Sequence, residues 1–225
     1  MHTGKGQVLE LLLENGLRHA RITCDEQLIP SPGQYLLAGT ASQPDPLPVS
    51  LFSTESTHKS FTACAPIPEA WTPGTEIYLR GPLGHGFVLP PSARKVALVA
   101  FDDHPARLSG VIQPALKQGG AVVLVSDESD LHLPDEVEVQ PSSALGEILE
   151  WADYAAFDVA RENLPELKEI VGKQNQVSAG KEAQVLVRTS MPCGGIADCG
   201  VCAVTLQSSW KLVCKDGPVF DWRDV

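Results

Sequence analysis

Residues Met191–Cys202 read Met-Pro-Cys-Gly-Gly-Ile-Ala-Asp-Cys-Gly-Val-Cys, and residues Val213–Phe220 read Val-Cys-Lys-Asp-Gly-Pro-Val-Phe. Cys193, Cys199 and Cys202 share a glycine-rich loop, and Cys214 arrives from a later segment. Three thiolates on one loop and a fourth from elsewhere is how a chain wraps a [2Fe-2S] cluster; the plant-type pattern is C-x4-C-x2-C followed by a distant cysteine. The first gap here is one residue longer. Gly194, Gly195 and Gly200 let the backbone turn its N–H groups toward the sulfurs, which stabilises the reduced cluster. Asp216-Gly217-Pro218 is a turn signal that would hold the last ligand in place. A cluster of this kind moves single electrons, so the spacing points to a redox relay.

Other readings of the same cysteines compete. Four thiolates also suit a structural zinc ion. A disulfide framework fits less well, because the chain is large and shows no apolar leader segment. Buried free thiols are the expectation for Cys24 and Cys64.

Working outward, 225 residues leave room for two small domains or one large one, and a hydrophobic fraction of 43% supports a proper core. The formal charge of −11 argues against a nucleic-acid partner and against docking on an anionic membrane. No stretch approaches the ~20 apolar residues of a membrane span. The expected setting is cytoplasmic and reducing.

Up to about residue 93 the chain reads as antiparallel β. Short runs at Val8–Leu13, His19–Thr23, Gln34–Leu37, Val49–Ser53, Ser60–Cys64 and Glu76–Arg80 alternate with turn residues, including Glu14-Asn15-Gly16. The pattern predicts a small barrel or sandwich. From 94 to 183 the rhythm changes. Apolar runs at Val96–Phe101, Val122–Val125, Val137–Val139 and Tyr154–Val159 alternate with helical stretches at Ala106–Gln118, Ala144–Trp151 and Asn163–Val171. Apolar strands alternating with helices predict a parallel α/β sheet. Pro114 lies inside the first helical stretch and predicts a kink there. Lys173–Lys181 reads as a polar connector, and Gln184–Arg188 leads into the cysteine segment, 184–225. The expected fold class is therefore α+β and multidomain: an N-terminal antiparallel barrel, a nucleotide-binding-like α/β domain and a C-terminal [2Fe-2S] subdomain.

Three segments carry a resemblance to a known family. Pro32-Gly33-Gln34-Tyr35, Gly81-Pro82-Leu83-Gly84-His85-Gly86-Phe87 and the cysteine tail from Met191 resemble the electron-transfer subunit of NAD-linked dihydroorotate dehydrogenase, within the ferredoxin–NADP reductase superfamily. The resemblance implies a [2Fe-2S] cluster in the tail on Cys193, Cys199, Cys202 and Cys214. It also implies an FAD in the barrel cleft near Pro48, Val49, Ser50, Gly81, Pro82, Leu83 and Gly84, and a catalytic oxidoreductase partner subunit. No residue is assigned a catalytic role, and the expected activity is that of a redox subunit within a complex rather than a stand-alone catalyst.

Departures from the family are concentrated at its nucleotide contacts. The family's Arg-Pro-x-Ser segment reads Leu47-Pro48-Val49-Ser50, without the arginine that pairs with the FAD pyrophosphate. Ala65-Pro66-Ile67-Pro68-Glu69-Ala70-Trp71 stands where the family offers N–H groups to the flavin, and its two prolines lack that donor. After the first α/β strand the family has a Gly-rich turn; here it reads Phe101-Asp102-Asp103-His104-Pro105. The family's Cys-Gly-Pro reads Phe157-Asp158-Val159. These changes oppose NAD(P) binding by charge and by missing N–H groups. His85 replaces an asparagine and reads as an exposed loop histidine. Trp71, Trp151, Trp210 and Trp222 read as packing anchors, the last two as candidate interface residues. The competing functional expectation is a structural subunit with a zinc or cluster site and no flavin.

Overall fold

The structure, a computed structural model, describes all residues except 15, 41–46, 65, 129–130, 174–180 and 208. Asn15 of the expected hairpin, Ala65 and most of the expected polar connector lie outside the described residues.

The β-rich opening folds as six strands: β1 (His2–Glu14), β2 (Leu17–Cys24), β3 (Tyr35–Gly39), β4 (Val49–Ser56), β5 (Ser60–Cys64) and β6 (Glu76–Leu83). They close into an antiparallel barrel in the order β1-β2-β5-β4-β3-β6. Closure follows from period-two patterning. Ile22, Leu36, Leu51, Phe61, Ile77 and Leu79 point inward and are almost fully buried, and Trp71 fills the space between them. Full burial of such side chains contributes about 1.5–3 kcal/mol each. β1 is longer than the sequence indicates because its polar first half pairs with β6 from His2↔Gly81 to Gln7↔Glu76. Backbone pairing there overrides a stretch with little apolar alternation.

The second layer is a six-stranded sheet in the order β14-β11-β10-β7-β8-β9. Its members are β7 (Lys95–Ala100), β8 (Ala121–Val125), β9 (Val137–Gln140), β10 (Tyr154–Ala160), β11 (Glu182–Arg188) and β14 (Val219–Asp221). The first five are parallel, and β14 adds antiparallel to β11. Helices α1 (Ser109–Lys117), α2 (Leu145–Trp151) and α3 (Leu164–Lys173) occupy the connections where helices are expected. A 3-10 turn at Pro105–Arg107 takes the place of the first turn of the longer helix read from the sequence, and Pro114 lies within α1.

The expected break at residue 184 falls inside β11, so the cysteine segment is continuous with the sheet. Residues 189–218 form a long excursion carrying a two-stranded ribbon, β12 (Ala203–Thr205) and β13 (Trp210–Leu212), and the short helix α4 (Val213–Asp216). Strand β14 then returns the chain to the sheet. One apolar cluster joins the three parts: Tyr35, Leu37, Phe52 and Leu83 from the barrel, Phe157, Val185 and Val187 from the sheet, and Met191, Cys202, Val213 and Cys214 from the excursion. Among the described residues no helix is long and apolar enough to cross a membrane.

Candidate functional site

The excursion brings all four expected cysteines to one side of the barrel. Their sulfurs fall into two pairs: Cys193 Sγ lies 3.6 Å from Cys199 Sγ, and Cys202 Sγ lies 3.2 Å from Cys214 Sγ. The first pair faces outward, with Cys199 exposed, while Cys202 and Cys214 are buried. Among the described residues no three His, Cys, Asp or Glu side chains surround a single point in the way that one metal ion requires. Two adjacent sulfur pairs are a donor set for two metal atoms sharing one core, and soft thiolate is the donor that iron–sulfur clusters select. The residues therefore fit the cluster.

Electrostatics differ between the pairs. Burial pushes the Cys193 thiol up, but main-chain hydrogen bonds with Ala197 and Gly195, together with its neighbouring thiols, bring it down to about 7. Burial and the adjacent Cys202 push Cys214 up to about 12. Metal binding must displace protons from such groups.

The loop is held by residues far away in sequence. Arg80, on β6, donates from Nη2 to the carbonyls of Cys193 (2.8 Å) and Gly194 (3.0 Å). Gly194 has φ +51°, and a β-carbon there would collide with the Arg80 guanidinium and with Leu37. Tyr35 donates its hydroxyl to the Cys214 carbonyl at 3.1 Å. Burial, with Cys214 beside it, holds the Tyr35 phenol well above its usual range, so it remains a donor. Arg161 Nη1 donates to the Val201 carbonyl at 2.7 Å. Sequence reading missed Arg80, Tyr35 and Arg161 as positioning residues. The only available signal was that Tyr35 lies in a recognisable turn motif. Replacing Arg80 with alanine is expected to destabilise the loop by about 1–3 kcal/mol, because two carbonyls lose a charged donor. The expected readout is iron lost faster to a chelator with the barrel's unfolding midpoint little changed.

The seven residues expected around a flavin lie at the start of β4 and at the end of β6, the two strands that flank β3. Val49 and Ser50 are half-buried on β4, opposite Ala38 and Leu37. Gly81, Pro82 and Leu83 end β6. Gly84 and His85 pack against the excursion: His85 N–H donates to the Gly217 carbonyl at 2.7 Å, and its exposed ring places Nδ1 3.0 Å from the Asp216 carbonyl. Gly84 thus leaves room for the cysteine tail. Pro48 lines a hollow of about 800 Å3 on the barrel's outer side, together with Leu37, Tyr78, Arg80, Cys193 and Ile196. That volume lies within the ~300–1,000 Å3 of cofactor-sized pockets. Both cations at the hollow are already engaged, Arg80 as above and Lys5 with Glu76 at 2.8 Å. Among the described residues the hollow therefore offers a flavin space of suitable size but no unengaged cation for its pyrophosphate.

Of the tryptophans, Trp71 is fully buried and Trp222 packs on Phe157 with ring centroids 4.8 Å apart. Trp210 is 66% exposed, so it is no packing anchor.

Residues 189–225 match the family described as the iron–sulfur cluster binding domain of dihydroorotate dehydrogenase B. The tail, which carries all four cluster cysteines, thus matches an iron–sulfur cluster binding domain of that type. Similarity extends beyond this domain. The chain is 29% identical over 169 residues to the dihydroorotate dehydrogenase B (NAD(+)) electron transfer subunit of Clostridium perfringens, covering 68% of this chain and 67% of that one. It is 49% identical over 41 residues to sulfhydrogenase 1 subunit gamma of Pyrococcus furiosus, a match spanning 18% of this chain and only 14% of that protein. Among solved structures, the NADH-dependent reduced ferredoxin-NADP oxidoreductase superposes with a TM-score of 0.76 at 15% identity, over 98% of this chain and 89% of that one. The ferredoxin reductase of carbazole 1,9a-dioxygenase superposes with a TM-score of 0.60 at 14% identity, over 77% of this chain and 64% of that one. The fold is thus of the ferredoxin reductase kind, and the iron–sulfur domain sits at its C-terminal end.

Proposed function

We propose that this chain is the electron-transfer subunit of an oxidoreductase complex, with Cys193 and Cys199 holding one iron of a [2Fe-2S] cluster and Cys202 and Cys214 the other. The observation that carries the reading is the division of four thiols into two close sulfur pairs, 3.6 and 3.2 Å apart. When bound, a cluster of this type supplies a one-electron redox centre. The chain's own residues do the holding and the presenting. Arg80, Tyr35 and His85 fix the carbonyls of the cysteine segment. Cys199 and the exposed Ile196 and Val201 bring the cluster's outer edge to the surface, where a partner can approach. The partner is a catalytic subunit, by analogy with the relative that is itself an electron transfer subunit. Six free thiols suit a reducing, cytoplasmic setting.

FAD is the second cofactor of the proposal, and it rests on the reductase fold; the hollow beside Cys193 is the space of suitable size next to the cluster. The test is analysis of the purified complex for iron, acid-labile sulfide and released flavin. Two irons and two sulfides per chain are expected, with one flavin. Zinc without sulfide would sink the cluster reading. Iron and sulfide without flavin would keep the relay and remove FAD from it.

A further inference from the structure

Strand order in the sheet reverses between β7 and β10: the chain runs from β7 out to β8 and β9, then returns to the other side of β7. In open parallel sheets the crevice beyond the carboxyl ends of the strands at such a point receives the ligand, with backbone N–H groups at a helix start taking its anionic part. Here the crevice is filled from within. Asp102, in the loop after β7, accepts from Ala160 N–H at 2.9 Å and from Asn163 Nδ2 at 2.7 Å, just ahead of α3. Its other oxygen pairs with Arg188 at the end of β11. Arg188 also binds Asp158 at 2.7 Å and Asp103 at 3.1 Å. Arg107 binds Asp103 at 3.0 Å and Asp158 at 3.4 Å, and its guanidinium lies 6.0 Å from the centre of the Phe52 ring on the barrel. The Asp158 side chain is 1% exposed, Arg107 11% and Asp102 12%.

We propose that Asp102 is a resident anion: its carboxylate holds the position that a ligand's phosphate takes in a crevice of this kind, with Arg188, Ala160 N–H and Asn163 as its receptor. The donors that would recognise an outside anion are therefore already satisfied. Three carboxylates share the two guanidiniums, and burial pushes Asp158 up to about 7, so the group carries no surplus positive charge to offer a dinucleotide. Because Arg107 reaches Phe52, the same network ties the sheet to the barrel. Removing one member of a buried ionic group leaves the others uncompensated, which is strongly unfavourable. This proposal is independent of whether cluster or flavin is bound.

Chemical rescue tests it. Thermal unfolding of the full chain is followed for wild type, Asp102→Ala and Asp102→Asn while inorganic phosphate replaces chloride at constant ionic strength. A species that binds only the folded state raises its midpoint. Asp102→Ala is expected to start lower and to gain from phosphate, with an apparent affinity at least tenfold above wild type. If it folds only in phosphate, that also supports the assignment. Asp102→Asn, which keeps the shape and loses the charge, is the second variant and is expected to respond in the same direction. The idea is overturned if wild type responds to phosphate as strongly as the variants, or if neither variant responds. Saturable quenching of NADH fluorescence by wild type at submillimolar concentration would overturn it as well.

Discussion

Cys214→Ser is expected to strip the protein of its visible iron–sulfur absorption and to reduce acid-labile sulfide more than about tenfold, since even outer-shell partners of a metal site alter affinity 10–100-fold. The reasons are local. Cys214 Sγ is 3.2 Å from Cys202 Sγ, and both are buried. Serine offers a hard, shorter oxygen where a soft thiolate is required. Cys64→Ser is the control. Cys64 is buried in the barrel, where it donates to the Phe52 carbonyl at 3.5 Å, and has no place among the cluster thiols. It should retain the spectrum. If Cys214→Ser keeps full absorption and sulfide, the ligand assignment fails.

Gly84→Ala is expected to destabilise the native state by about 2–5 kcal/mol and to release the cysteine segment from the barrel. Two effects add. Gly84 has φ +70°, a left-handed conformation that costs an alanine about 1–2 kcal/mol. A β-carbon there would also lie 2.5 Å from the Gly217 carbonyl oxygen and 2.5 Å from Pro218 Cδ, and overpacking of that kind typically costs about 1–3 kcal/mol. The clash strikes the contact in which His85 N–H meets Gly217 at 2.7 Å, immediately after the helix that carries Cys214. Denaturant unfolding and iron content should therefore fall together. Gly119→Ala separates the two effects: its φ is +77°, but nothing lies within 4 Å, so only the conformational part should appear.

The barrel, the alternating strands and helices, and the four cysteines were legible in the sequence because each rests on a local signal. Ile22, Leu51 and Phe61 alternate with outward-facing neighbours, Val96–Ala100 is continuously apolar, and cysteine spacing is read directly. The return of β14 to the sheet was not legible. Val219–Asp221 is three residues long, and its pairing with Gln184–Leu186 bridges the whole excursion, beyond any local pattern. Arg80 carried no signal of its role and Tyr35 only its place in a turn motif, since what they bind is main-chain carbonyl, which every residue possesses. Asp102 and Asp103 were legible as two carboxylates in the loop after the first α/β strand, but their cationic partners Arg107 and Arg188 stand 4 and 86 residues from them, beyond any local pattern.

The grip on the cysteine loop is made by Arg80, Tyr35 and His85 on peptide oxygens, and none of these bonds involves sulfur. The barrel is therefore expected to hold the cup for the inorganic core without iron. Small zinc domains, in contrast, collapse without their ion. Demetallated protein should keep its compact form, and a scaffold that delivers iron and sulfide would find the receiving loop already in position, so maturation would be a late, separable event in the life of this protein.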